Sequence, residues 1–123
     1  MGLVSRAYGQ LLYVDALLAC RGFPAVRRKL SQSCVRRNNT RKWSDEEICR
    51  AVDLACVFYF KQVLCLQRSA VATILLRKAQ FPAEMVVGAQ PCPFRAHAWV
   101  EVAGRVVNDK PYTPELYEVL DRC

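Results

Sequence analysis

The chain has one histidine, His97, so any imidazole base must be that residue, and a metal site built from several histidines is excluded. It has seven cysteines, at positions 20, 34, 49, 56, 65, 92 and 123. Cys65 differs from the rest because it falls at the start of a helix read from Leu64 to about Lys78. There, exposed N–H groups and the positive end of the helix dipole favour a thiolate. His97 lies in a β-like run, Arg95 to Val102, and Asp109 closes the next one. A thiol on a helix start, an imidazole on a strand and a carboxylate on the neighbouring strand could form a relay. The imidazole takes the thiol proton and the carboxylate fixes its tautomer.

Taken alone, these residues leave a plainer reading open. Cys65 could be an inert thiol, His97 a surface or core residue, and Asp109 a turn residue before Lys110-Pro111. Strand register gives a check. A strict two-residue loop at Ala103-Gly104 sets Asp109 opposite Ala98 and turns His97 to the other face. The relay therefore requires an odd loop, a bulge at 102–105, or Asp109 lying beyond the regular ladder.

The elements that must position these residues follow from periodicity. Leu3, Val4, Ala7, Tyr8, Leu11, Leu12, Ala16 and Leu18 predict an amphipathic helix over 3–20, ended by Gly22-Phe23-Pro24. A polar, basic stretch runs on to Lys42. Ser44 with Glu47 is a capping box and opens a helix to about residue 60, with Ile48, Val52, Ala55, Cys56 and Tyr59 as its apolar stripe. Cys49 and Cys56 share nearly one face and read as small buried hydrophobes. After the helix ending at Lys78 come strands at 83–89, 95–102 and 105–108, the last two joined through Ala103-Gly104. Helices followed by a small antiparallel sheet give an α+β fold in one domain over 1–123, with a basic helical part at 1–43 and a core at 44–123.

Composition narrows the function. The 123 residues are 53% hydrophobic and suit one globular unit. No CxxC or short Cys/His cluster calls for zinc or a redox dithiol, and no cofactor is expected. The apolar run Leu11 to Cys20 is broken by Asp15, lacks the marks of a secretory signal and is too short to span a membrane, so a cytoplasmic protein is expected. The net charge of +7 is uneven: residues 1–42 hold nine Lys and Arg against Asp15 alone. Arg27-Arg28-Lys29, Arg36-Arg37 and Arg41-Lys42 form its basic segments. Aromatic residues are scarce among them, which disfavours a nucleic-acid partner.

Several segments together resemble a known family. They are Cys65-Leu66-Gln67-Arg68-Ser69, Leu75-Leu76-Arg77-Lys78, Phe81 to Gly88, Pro93 to Val102, and Gly104 with Val107-Asn108-Asp109. Over residues 65–109 the chain resembles the lasso-peptide leader peptidases, transglutaminase-like cysteine peptidases. The resemblance implies a papain-like or transglutaminase-like fold, with Cys65 as nucleophile, His97 as base and then acid, and Asp109 as orienter. It also implies cleavage of a precursor peptide between leader and core, ahead of a separate ATP-dependent cyclase. The 64 residues before Cys65 read as helices, without a strand-rich module that grips leaders by β-addition. A separate leader-recognition protein is therefore the expected partner. The Cys65 N–H and Gln62 are candidate oxyanion donors, Phe94 and Trp99 candidate cleft walls, and the basic N-terminal third a docking surface for the partner or an acidic leader. Acyl transfer by the same triad, or a basic binding protein with an inert Cys65, are the alternatives.

Overall fold

The computed structural model describes residues 2–33, 43–91 and 94–123. Cys34, Cys92 and the basic pairs Arg36-Arg37 and Arg41-Lys42 lie outside the described residues.

Helix α1 (Leu3–Arg21) buries Ala7, Leu11 and Val14, one stripe at helical spacing. Gly22 ends it at φ 78°, its N–H bonding to the Leu18 carbonyl. The polar, basic stretch then opens with a second helix, α2 (Phe23–Gln32), which buries Val26 and Leu30. The sequence reading took Pro24 as a stop. It instead sits in the first turn of α2, where its missing N–H is not needed.

Helix α3 (Asp45–Phe58) opens with the expected capping box: Ser44 Oγ accepts the Glu47 N–H, and the Ser44 N–H donates to Glu47 Oε1. Helix α4 (Cys65–Lys78) is the centre of the molecule, with Gln67 and every residue from Ser69 to Arg77 buried. Helices that are apolar nearly all round are core helices. Here α4 packs against α1, α2 and α3 and against strands of the sheet.

The sheet has four strands, all antiparallel, in the order β3-β2-β1-β4. They are β1 (Ala83–Pro91), β2 (Phe94–Val102), β3 (Arg105–Val106) and β4 (Glu118–Arg122). Alternation sends Ala83, Met85, Val100 and Val102 into the core shared with the helices, while Val86 and Trp99 are buried on the opposite face. A Cβ on Gly88 would lie 2.8 Å from the Trp99 ring and 2.8 Å from Tyr117 Cβ, so only glycine lets both pack there. The α+β order read from the sequence is the one observed, helices and then a small sheet. The short helix α5 (Thr113–Leu116) and β4 carried no periodic signal and were not anticipated.

Candidate active site

The hairpin after Val102 is the strict two-residue kind: Val102 pairs with Arg105, with Ala103 and Gly104 both at positive φ. Simple register would set Asp109 opposite Ala98, with His97 turned to the other face. The ladder stops first. The Val107 N–H still donates to the Val100 carbonyl (3.0 Å), but the returning Val100 N–H goes to the side chain of Asn108 (Oδ1, 2.8 Å). Asn108 thus takes the place of a backbone acceptor and frees the chain from the pleat. Its amide donates to Ser69 Oγ (3.2 Å), and Ser69 Oγ donates to the Ala98 carbonyl (3.0 Å). The Arg68 guanidinium holds the Asn108 carbonyl (3.0 Å). Of the ways out that the register check allowed, the molecule uses the last: β3 ends at Val106, two residues short of the expected strand, and Asp109 lies beyond it.

Released in this way, Asp109 reaches the imidazole, with Oδ2 2.5 Å from His97 Nε2. Burial works against its charge, yet the His97 bond and the Lys110 N–H outweigh it and hold the carboxyl below its ordinary value. An ionised Asp109 makes Nε2 the protonated nitrogen, leaving Nδ1 as the one that can accept a proton. The ring stacks with Tyr117 (centroids 5.3 Å apart) and Trp99 (6.1 Å). Trp99 is fully buried and forms the floor under the imidazole, not a cleft wall, whereas Phe94 is 74% exposed on the strand end.

Cys65 is the first residue of α4 and is half-buried. The preceding residue, Leu64, has extended backbone and no side-chain acceptor, so no cap covers the first-turn N–H groups. One half of a capping box is present, with Gln67 Oε1 accepting the Leu64 N–H (3.2 Å). Gln67 Nε2 in turn donates to Asp15 (3.5 Å), which also takes the Tyr59 hydroxyl (3.0 Å) and Lys61 (2.9 Å). The Lys61 contact, opposed by burial, leads in lowering the Asp15 carboxyl, while burial and the Asp15 bond push the Tyr59 hydroxyl up to about 12. Through these bonds the segment 59–64 is moored to α1.

Ser69, one turn beyond Cys65 on the same helix face, touches the strand residue next to His97. The first turns of α4 are thereby tied to the β2 backbone beside His97. The structure brings His97 and Asp109 into direct contact; Cys65 hydrogen-bonds to neither. Gln62 is exposed and lines a small hollow with Asp15, Tyr59 and Gln67. Among the other described thiols, burial pushes Cys49 up to about 12 and raises Cys56 and Cys123. No group of three His, Cys, Asp or Glu suited to a metal ion occurs among the described residues.

The sequence pattern of the transglutaminase-like superfamily matches residues 10–122, nearly the whole chain and all of this site. The chain belongs to the transglutaminase-like superfamily. The microcin J25-processing protein McjB of Escherichia coli is 40% identical to it over 47 residues, 38% of this chain and 23% of that protein. The chain thus spans about a quarter of the length of the curated relative it matches. No solved structure matches. Both matches agree with the resemblance carried by residues 65–109. Within this superfamily member the residues that sequence reasoning passed over are Asn108, Ser69 and Gln67. All three lie inside the segments that carry the resemblance, which assigned them no role. No helix among the described residues is long and apolar enough to cross a membrane.

Proposed function

We propose that the chain is a cysteine peptidase that removes the leader from a ribosomally made lasso-peptide precursor. The observation that supports this reading is the His97–Asp109 pair at 2.5 Å, in a chain whose candidate nucleophile, Cys65, opens a helix with no side-chain cap. Transglutaminase-like membership and the likeness to a microcin-processing protein support the choice of substrate class.

In this mechanism His97 Nδ1 takes the Cys65 proton, and the thiolate attacks the carbonyl carbon of the scissile bond. Asp109 keeps the proton on Nε2 and stabilises the imidazolium. The oxyanion is met by the Cys65 N–H at the open helix end, with Gln62 as the second donor. His97 then protonates the departing amine, and a water that it deprotonates hydrolyses the thioester. Cys65 must close on His97 once substrate is bound, a common tightening of catalytic hydrogen bonds on going from the free enzyme to the complex. Leader presentation falls to a separate leader-recognition protein, and the freed core passes to an ATP-dependent cyclase. The site is worked by side chains and backbone alone, in the cytoplasm where Cys65 stays reduced.

The test is incubation with a candidate precursor, with and without a leader-binding protein, read by mass spectrometry. Cleavage between leader and core that disappears in Cys65→Ala is expected. A product bearing an added amine in place of water would favour acyl transfer. Equal cleavage by Cys65→Ala would end the nucleophile assignment.

A further inference from the structure

Away from this site, α1 and α2 enclose a groove of about 360 Å³. That is the small end of the range for ligand sites, about 300 to 1,000 Å³. Its apolar lining comes from Tyr13, Leu17, Pro24 and Ala25. Arg21, Arg28 and Lys29 stand around it, with the Lys29 ammonium 5.7 Å from the centre of the Tyr13 ring. Among the described residues no carboxylate neutralises Arg21 or Arg28 on this rim. Arg27, between the helix positions that face the groove, is already spent on Asp121 (2.5 Å). The one acid of the two helices, Asp15, is held by Lys61, Tyr59 and Gln67.

We propose that this groove docks an acidic stretch of the peptide substrate, its aliphatic side chains on the apolar floor and its carboxylates on Arg21, Arg28 and Lys29. Arginine clusters read acidic motifs through charge-assisted bonds, and an apolar floor adds the side-chain selection that charge alone does not supply. A nucleic-acid strand fits less well, because the one aromatic face present is already covered by Lys29 and the remaining floor is aliphatic. A bilayer surface cannot enter a concavity between two helices. That the acidic peptide is the processed substrate rests on the peptidase reading; the groove's preference for an acidic peptide does not.

The experiment is fluorescence anisotropy with a labelled Glu-Glu-Leu-Leu-Glu-Glu peptide on the full chain carrying Cys65→Ala. Saturable binding is expected, weakened about ten-fold or more by Arg21→Glu with Arg28→Glu and by added salt. Ala25→Trp, which fills the groove without altering charge, should weaken it similarly, as should glycines in place of the peptide's leucines. Circular dichroism and, in a matched wild-type background, the Cys65 alkylation rate check that each variant is folded. Equal binding of the Lys-Lys-Leu-Leu-Lys-Lys peptide, no loss in any folded variant, or tighter capture of poly-dT or of phosphatidylserine vesicles at the same residues would overturn the proposal. Peptide binding without any precursor cleavage would instead count against the peptidase reading and leave the groove standing.

Discussion

The two ends of α4 are built in opposite ways. At its C-terminal end the Arg77 guanidinium is buried and donates to the carbonyls of Ala83 (2.9 Å), Leu30 and Ser33 (3.3 Å), tying β1 and α2 to the helix. At its N-terminal end the cap residue is a leucine whose side chain accepts nothing, the first-turn N–H groups are left without a side-chain cap, and the thiol is half-exposed. A helix end left uncapped costs stability. That cost is offset at the over-determined far end, so the near end can keep its donors free, as the proposed oxyanion role requires. Gln67 and Asp15 moor the near end without covering it.

The largest effect that would sharpen this contrast lies in the relay. Asp109→Asn should lower cleavage about a thousand-fold, roughly 4 kcal/mol of transition-state stabilisation, because the imidazole loses its tautomer control. The same variant has a stability signature. The Asp109 carboxyl is held below its ordinary 3.8, so its contribution is present above that value and is lost as pH falls through the lower folded one. The gap in melting temperature between wild type and Asp109→Asn should therefore close in acid below about 3.8. A gap that stays fully open well below that value would mean that Asp109 does not work through its own charge.

Next comes the anchored end. Arg77→Ala leaves buried carbonyls unsatisfied and should cost about 3 kcal/mol in denaturant unfolding, while kcat per folded molecule stays close to wild type. A variant that kept full stability would remove the over-determination argument. Smaller again, Gln67→Leu should cost about 1 kcal/mol and slow alkylation of Cys65 several-fold, since the Leu64 N–H and Asp15 both lose a partner. Equal slowing at Cys20, which is exposed and remote, would point to a general loosening instead. The smallest effect is expected at Cys49. Its thiol, pushed up to about 12 by burial, should resist alkylation at pH 8 in the folded protein and label only on unfolding.

Much of this was legible in the chain before any coordinates. The helix stripes of α1 and α3, the Ser44–Glu47 capping box and the β1–β2 alternation are local patterns, set by neighbours three, four or two residues away. What escaped was of two kinds. Helix α2 was hidden because Pro24 is a breaker inside a helix and an initiator in its first turn, and only the position of Gly22 distinguishes the cases. Strand β4 has no alternating burial to advertise it, since its pairing with β1 supplies the stability its side chains do not. At the site, His97 and Asp109 were named from residue type and order, but the two-residue loop alone would have separated them.

The sequence by itself determined which groups are available: one imidazole, one thiol at a helix start, one carboxylate after a hairpin, and a basic N-terminal third. Residue type and short-range periodicity are properties of the chain, and they need no fold to be read. Only the tertiary structure decided that Asp109 meets His97. That contact depends on Asn108 exchanging a ladder hydrogen bond for one with β2 and another with Ser69 of α4, an arrangement that exists only when helix, strand and hairpin are packed together. It likewise decided which cations stay unpaired, because Arg27 finds Asp121 ninety-four positions away whereas Arg28, its neighbour in sequence, turns to the groove.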